Sequence, residues 1–446
     1  MTAICLLLGV LSVSGVQPAS AEQRADRDRR RSPVVEVFER SRDAVVNIST
    51  TRIIRMRSLE IGSPFDDIFN FDFLRPRDRK VHSIGSGVVI HPSGYVVTNA
   101  HVVSQAADVQ ITFADGHAAP ARIIAADTGH DLAVLKVDAT RPLPCLSLGR
   151  SDDIMVGETV IAIGNPLGYQ HTVTTGIVSA LDRELNFGNN VVYRGLIQTD
   201  APINPGNSGG PLLNVNAELI GINTAIRGDA QNIGFAIPVD RLWELLPGML
   251  DIERRQRVRF GLRVEGASAE VTAVRPDSPA AAAGLRPGDR VARFDGQPIR
   301  DSIDYYVRLL EKTPGQKVRL AVQREGKLVE ATVPLQEIPI PDGAALAQRL
   351  LGIRLGPVPE RIRRLFDLPP DIGLLVEELE RGGPADQAGI RPGDLILRLE
   401  RGTVATFEDL GLVLEGTQPG QRVLVEGLRL HTDPAFFWTV SVRTRQ

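Results

Sequence analysis

A chain of 446 residues in which Lys plus Arg (51) nearly balances Asp plus Glu (54) has a formal net charge of -3, which leaves no electrostatic footprint for a nucleic-acid backbone. With 43% hydrophobic and 24% charged residues, it is neither a disordered chain nor one built from long apolar spans. The length exceeds what one hydrophobic core supports and predicts roughly three domains at about 100 to 200 residues each.

Ile4 to Val16 is an apolar run followed by Ala19-Ser20-Ala21, a small-residue pattern of the kind cut by signal peptidase. Residues 1–21 are therefore expected to be a signal peptide that is removed on export, and the run is shorter than the ~20 residues of a permanent spanning helix. Met1 to Ile4 lacks Lys and Arg, a departure from the usual positive start. Cys5 would leave with the signal, so Cys145 would remain as a lone thiol, and stability must come from packing rather than an internal disulfide. Residues 22–33, polar and rich in Arg and Asp, read as a flexible leader.

From 34 to 240, short β-branched runs such as Val45-Val46-Asn47-Ile48, Gly87-Val88-Val89-Ile90, Tyr95-Val96-Val97-Thr98 and Val160-Ile161-Ala162-Ile163 alternate with Gly, Pro and Asn turns. Many short strands at close spacing predict an all-β barrel or sandwich. The segment Phe65 to Phe73 interrupts them as a polar and aromatic insertion, either a surface loop or a regulatory or subunit-contact loop. A helical stretch near Val239 to Leu250 and a basic linker close this half, the linker running over 241–258.

Beyond it lies an internal repeat. Pro279-Ala280 recurs as Pro384-Ala385, and Ala283-Gly284-Leu285-Arg286-Pro287-Gly288-Asp289 recurs as Ala388-Gly389-Ile390-Arg391-Pro392-Gly393-Asp394, 105 residues on (279 to 384). A fixed offset over such a string predicts two homologous domains, at 259–337 and 346–446, joined by a proline-rich linker at 338–345.

The strongest chemical signal is Gly206-Asn207-Ser208-Gly209-Gly210-Pro211. A serine nucleophile requires a base for its proton and donors for the negative charge that develops on the attacked carbonyl. Gly206 can adopt backbone angles that turn its N–H inward beside that of Ser208 as an oxyanion hole. A bare Gly-x-Ser-x-Gly is more often a turn, but the six-residue string, preceded by Thr199-Asp200-Ala201 and followed by an apolar strand, points to catalysis.

Of the seven histidines, only His101 has a persuasive setting, just past the strand Tyr95 to Thr98 in Thr98-Asn99-Ala100-His101, where a strand end can hold an imidazole rigidly. The others, His82, His91, His117, His130, His171 and His431, stand in polar or turn-like contexts and read as surface residues. Asp131 opens an alternating strand, Asp131 to Val137, and is the candidate to orient the imidazole, with Asp127, Asp115 and Asp108 as nearby competitors in looser turn sequence. The chain order His, Asp, Ser is that of chymotrypsin-type enzymes. No His-Glu-x-x-His string, Cys-x-x-Cys pair or phosphate-binding loop occurs, so no metal or cofactor is expected.

With these strings in hand, the chain resembles the HtrA/DegP family of trypsin-like serine proteases with C-terminal PDZ domains. The matching segments are Thr98 to Val103, His130 to Val134, Gly164-Asn165-Pro166, Thr172 to Ala180, Thr199 to Pro211 and Ile233 to Pro238. The resemblance implies a mainly β fold with a chymotrypsin-like double β-barrel followed by two PDZ domains. It also implies periplasmic location, trimers or assemblies of trimers, and degradation of unfolded or misfolded polypeptides. The alternative is a chaperone or scaffold with a dormant protease domain. The short insertion Arg52 to Lys80 has no Gln-rich tract, which favours the DegQ side of the family.

By the same likeness, Thr224-Ala225-Ile226-Arg227-Gly228 would pair with the substrate backbone beside Asn207. Pro202, six residues before Ser208, puts no charge where trypsin-type enzymes carry a carboxylate, so Ile226 suggests a pocket for small aliphatic P1 residues. PDZ modules bind peptide C-termini by strand addition, the carboxylate resting on backbone N–H groups. Phe260-Gly261-Leu262 and Leu351-Gly352-Ile353 would be those carboxylate loops, the first departing from the usual aromatic-Leu-Gly-Ile form. No membrane partner is indicated.

Overall fold

The structure is a computed structural model, and it describes residues 28–445 apart from 55–78, 105, 167–170, 187–191, 205, 225–231, 367, 370–371, 401 and 431–434. The expected signal peptide, most of the expected leader, the heart of the insertion, and His431 lie outside the described residues. The chain divides into two compact units, one holding residues up to 252 together with 260–335, the other holding 253–259 and 336–446.

The first unit opens with helix α1 (Pro33–Ser41), started by a Ser32 side chain that accepts from Val35 N and by proline at its first position, where the missing N–H costs nothing. The β-branched runs then close into a barrel in the order β1-β2-β3-β6-β5-β4, with β1 (Val45–Ile54), β2 (Arg79–His91), β3 (Tyr95–Thr98), helix α2 (Ala100–Val103), β4 (Asp108–Thr112), β5 (Ala118–Asp127) and β6 (Leu132–Val137). Val96, Val97, Leu132 and Leu135 are fully buried inside it. The β2–β3 hairpin turns at His91-Pro92-Ser93-Gly94, and Gly94 takes φ +98° where a Cβ would lie 2.3 Å from Val137 O; only glycine suits that combination.

A second closed barrel has the order β10-β11-β12-β9-β8-β7, from β7 (Thr159–Gly164), β8 (Thr172–Asn186), β9 (Val192–Thr199), β10 (Pro211–Leu213), β11 (Leu219–Thr224) and β12 (Gly234–Pro238). Its core joins Val160, Val178, Ile197, Leu212 and Ala236. Full closure leaves neither barrel an open sheet edge. Helix α3 (Val239–Met249) follows, where helix is expected from sequence, and the basic stretch after it contains helix α4 (Ile252–Gln256).

The repeats form two antiparallel sheets of one topology. The first, within the first unit, has the order β14 (Leu262–Glu265), β15 (Glu270–Val274), β16 (Arg290–Phe294), β18 (Lys317–Arg324) and β19 (Lys327–Pro334), with the short β17 (Gln297–Pro298) pairing with β16. The second, within the second unit, has the order β21 (Ile353–Pro357), β22 (Leu374–Leu379), β23 (Asp394–Leu399), β25 (Arg422–Arg429) and β26 (Phe436–Arg443), with the short β24 (Gly402–Thr403) pairing with β23. The two residues on either side of the first repeat, β13 (Val258–Arg259) and β20 (Gln336–Glu337), pair with each other in the second unit. There Arg257 grips Glu415 through two contacts of 2.7 and 2.9 Å.

The repeated Leu/Ile-Arg-Pro-Gly-Asp string has a structural cause. Asp289 accepts from Arg286 N and from Arg324 Nε and Nη2, and Asp394 accepts from Arg391 N and from Arg429 Nε and Nη2. Each aspartate is 1% exposed, and a carboxylate buried in this way requires its bidentate partner. Arg324 and Arg429 are themselves 105 residues apart, so the repeat extends past the motif that reveals it.

In the first repeat, β14 (Leu262–Glu265), β15 (Glu270–Val274), helix α5 (Pro279–Ala282), β16 (Arg290–Phe294) and helix α6 (Ser302–Leu310) come first, followed by β18 (Lys317–Arg324) and β19 (Lys327–Pro334). Asp301 caps α6 through Asp304 N. Asp304 on α6 faces the β2–β3 hairpin, its Oδ1 lying 3.3 Å from His91 Nε2 and 2.8 Å from Arg308 Nε. His91 is thus 12% exposed and is a packed partner rather than a surface residue.

Burial pushes the Asp304 pKa up, but hydrogen bonds from His91, Arg308 and the Arg300 N–H outweigh it and hold the carboxyl well below the usual range. A depressed folded-state pKa contributes stability that is present above the unfolded value of about 4 and is lost as pH falls through the folded one. Acid titration of unfolding followed by circular dichroism is expected to show the parent losing stability below about pH 4 more steeply than Asp304→Asn, which lacks that proton linkage.

Candidate active site

Three segments from the two barrels make the site, and two of them rest against the β2 residues Gly85 and Ser86. The first is α2, which carries His101. Asn99 and the end of β3 set its start, and Asn99 Nδ2 donates to Asp131 O at 3.1 Å. A Cβ on Gly85 would lie 2.7 Å from Val102 Cγ1 and 3.4 Å from Ser208 O, so the His101 helix and the Ser208 turn both rest against that glycine.

The second segment is the tight turn between β5 and β6 that holds Asp131. This residue takes φ +55°, a left-handed conformation that aspartate tolerates better than most non-glycine residues. Its carboxylate is 1% exposed and accepts from His101 N at 2.9 Å, from His101 Nδ1 at 2.8 and 2.9 Å, and from the Thr224 hydroxyl at 2.8 Å. Main chain, ring and hydroxyl together fix one orientation of the imidazole, because the charged acceptor has several donors at short range. Thr224 ends β11 in the second barrel, so this carboxylate bridges the barrels. Burial, with the Asp131 and Asp127 charges acting the same way, pushes the Tyr193 hydroxyl pKa up and keeps that neighbour neutral.

The competing aspartates are engaged elsewhere. Asp127 accepts from His130 N and lies 3.1 Å from the His130 ring, while Asp115 accepts from His117 N and Arg141. His171, read as a surface residue, is part-buried with Nε2 3.1 Å from Val45 O.

The third segment is the turn 206–210, where Asn207 and Ser208 are each 3% exposed. Ser208 O accepts from Ser86 N at 2.9 Å and Gly209 N donates to Asn223 O at 2.8 Å, which fastens the turn to β2 on one side and β11 on the other. Gly209, at φ +82°, would place a Cβ 2.2 Å from both Ser86 O and Thr98 Oγ1. That contact seats the turn against the strand leading into His101. Gly206 has φ +104°, and a Cβ there would lie 2.4 Å from Pro166 Cβ.

Ser86 carries much of this arrangement and was not singled out from sequence. Its hydroxyl donates to Gly206 O at 2.5 Å and accepts from Asn165 N at 2.8 Å, while Asn47 Nδ2 donates to Asn165 O at 2.8 Å. The signal was present as a small polar residue between two glycines, Gly85-Ser86-Gly87, inside an apolar strand. Thr224, grouped from sequence with the expected substrate strand, also places its hydroxyl on Asp131, a contact that sequence reasoning missed. Ala225, Ile226, Arg227 and Gly228, which complete that expected strand, lie outside the described residues.

Of the expected carboxylate loops, Phe260 O accepts from Ala280 N and Gly261 O from Arg275 N, with Leu262 opening β14. In the second repeat Leu351 ends helix α7 (Gly343–Leu351), Gly352 caps it at φ +68° by donating its N–H to Gln348 O, and Ile353 begins β21 (Ile353–Pro357).

The sequence matches known protein families. A family profile described as "Trypsin-like peptidase domain" matches residues 85–222, and two profiles described as "PDZ domain" match residues 270–324 and 344–426. The chain is 38% identical over 369 residues to a "Probable periplasmic serine endoprotease DegP-like" of Chlamydia trachomatis, covering 79% of this chain and 73% of that one. It is 35% identical over 463 residues to the protein of the same name from Halomonas elongata, covering 95% and 94%. Among solved structures, "HtrA-type protease AlgW with decapeptide" is 36% identical, with a TM-score of 0.40 and coverage of 69% of this chain and 99% of that one. The chain belongs to the DegP-like family of serine endoproteases, with a trypsin-like peptidase domain followed by two PDZ domains.

Proposed function

We propose that this chain is a periplasmic endopeptidase that degrades unfolded or misfolded polypeptides with Ser208 as nucleophile, His101 as base and Asp131 as the residue that orients His101. The observation that carries the reading is the Asp131 carboxylate, held by His101 from one barrel and Thr224 from the other, while the Ser208 turn is fastened to β2 of the first barrel and β11 of the second. In the reaction Ser208 Oγ attacks the scissile carbonyl carbon as its proton passes to His101 Nε2, and Asp131 balances the imidazolium. The N–H groups of Gly206 and Ser208 receive the charge on the carbonyl oxygen. His101 then returns the proton to the leaving amine, and water activated by the same ring releases the acyl group from Ser208.

The positive φ at Gly206, its close approach to Pro166 and the Ser86 bond to its carbonyl support its place in the oxyanion hole. Gly206→Ala is expected to lower kcat by about one hundred- to one thousandfold with KM little changed, measured on a chromogenic peptide. The uncharged Pro202 supports a small aliphatic P1 residue such as Val or Ala; profiling cleavage sites with a peptide library checks this, and a strong preference for Lys or Arg would overturn it.

The domain division at 34–240, 259–337 and 346–446 belongs to the same reading, as do export by a cleaved signal, assembly into trimers, and capture of substrate C-termini or control of assembly by the PDZ domains. The names of the relatives, which say periplasmic endoprotease, support the location. Incubation with unfolded casein tests the function: the parent should degrade it while leaving a stably folded protein intact. Aggregation suppressed without any cleavage would instead make the chain a chaperone with a dormant protease domain.

A further inference from the structure

Strand addition needs a sheet edge whose outward N–H and C=O groups are available to an incoming peptide. In the first repeat that edge is β14, which pairs with β15 on one side only. The outward donor is not available. Val264 N donates to the hydroxyl of Tyr306, at 3.1 Å, and Tyr306 stands on α6 across the groove. Val264 is fully buried and Tyr306 is 5% exposed. The Tyr306 ring is braced edge-on by Tyr305, with centroids 5.0 Å apart.

Other parts of the first unit hold α6 in that position. Asp304 ties it to His91 on the β2–β3 hairpin, and α3 packs against both β14 and α6. The internal repeat supplies its own comparison. The position 105 residues after Tyr306 is Gly411, on helix α8 (Phe407–Leu414), so the second repeat has no hydroxyl at the corresponding place. The plug is therefore a property of the first copy and not of the repeat as such.

We propose that the peptide groove of the first repeat is self-occluded: the Tyr306 hydroxyl takes the Val264 N–H that a ligand's main-chain carbonyl would use, so this module accepts a peptide C-terminus only after α6 swings off β14. The proposal rests on the reading that the PDZ modules bind peptide C-termini. Tyr306→Phe keeps the ring packing and removes only the acceptor; Asp304→Asn loosens α6 from the hairpin and serves as a second variant.

The test is amide hydrogen exchange over Leu262–Glu265 in the full chain carrying Ser208→Ala, which prevents cutting. The probe is a pool of short peptides with free α-carboxylates and randomised final residues, and the C-terminally amidated pool is the control. Loss of one neutral hydrogen bond should speed exchange of the Val264 amide about five- to tenfold in Tyr306→Phe. The free-carboxylate pool should then restore protection in Tyr306→Phe while leaving the Tyr306 protein unchanged. Equal exchange and equal protection with and without the hydroxyl would overturn the occlusion and leave peptide binding standing. No protection of β14 by the pool in any variant would overturn peptide binding at this module and the gate with it.

Discussion

Ser208→Ala is expected to lower kcat for peptide and casein cleavage by about a millionfold without changing the fold or the affinity for substrate. The turn is held by its main chain, through Ser86 N to Ser208 O and Gly209 N to Asn223 O, and both bonds survive loss of the hydroxyl. What disappears is the only atom that forms the acyl bond. Rates measured under saturating substrate, with circular dichroism as the control for folding, check the prediction.

Asp131→Asn is expected to lower kcat by about ten-thousandfold at neutral pH. The carboxylate accepts from His101 Nδ1 and N and from the Thr224 hydroxyl. An amide in its place has one acceptor oxygen for these donors and turns an NH2 group toward a partner that also donates. The ring then favours the tautomer with its proton on Nε2, where it cannot take the serine proton, and no negative charge faces the imidazolium. The loss should fall on kcat with KM little changed. Steady-state kinetics separates this from a folding defect, which would lower the amount of active enzyme and scale with unfolded fraction.

How much of this was legible before the structure depends on sequence separation. Gly206 to Pro211, Thr98 to His101 and Asp131 to Val137 are local strings whose chemistry is readable from residue type and order, and their strand and turn settings are as expected. The β-branched runs and their turns point to an all-β barrel or sandwich, and the pairing of two barrels is what the family resemblance implies. The repeat follows from the fixed offset, although its reason, a buried aspartate gripped by an arginine 35 residues downstream, lies outside the motif. Thr224 reaches Asp131 across 93 residues and between barrels, and no local pattern encodes such a contact.

His91 was misread for the same cause. Its neighbours Pro92, Ser93 and Gly94 mark a turn correctly, but the side chain is covered by Asp304 from a segment more than 200 residues away. The basic linker after α3 carried no sequence expectation of its conformation; Ile252 is 2% exposed and opens a short helix, Ile252–Gln256. The state of the first repeat's groove was equally out of reach, since it depends on a tyrosine and an edge strand 42 residues apart.

The most direct measurement of the central claim is covalent labelling of the parent with a fluorophosphonate, followed by mass spectrometry of the peptides. The adduct should form on Ser208 alone and should disappear in His101→Ala, because only a serine deprotonated by that ring attacks the phosphorus at a useful rate. Labelling of a different residue, or undiminished labelling of Ser208 without His101, would contradict the account.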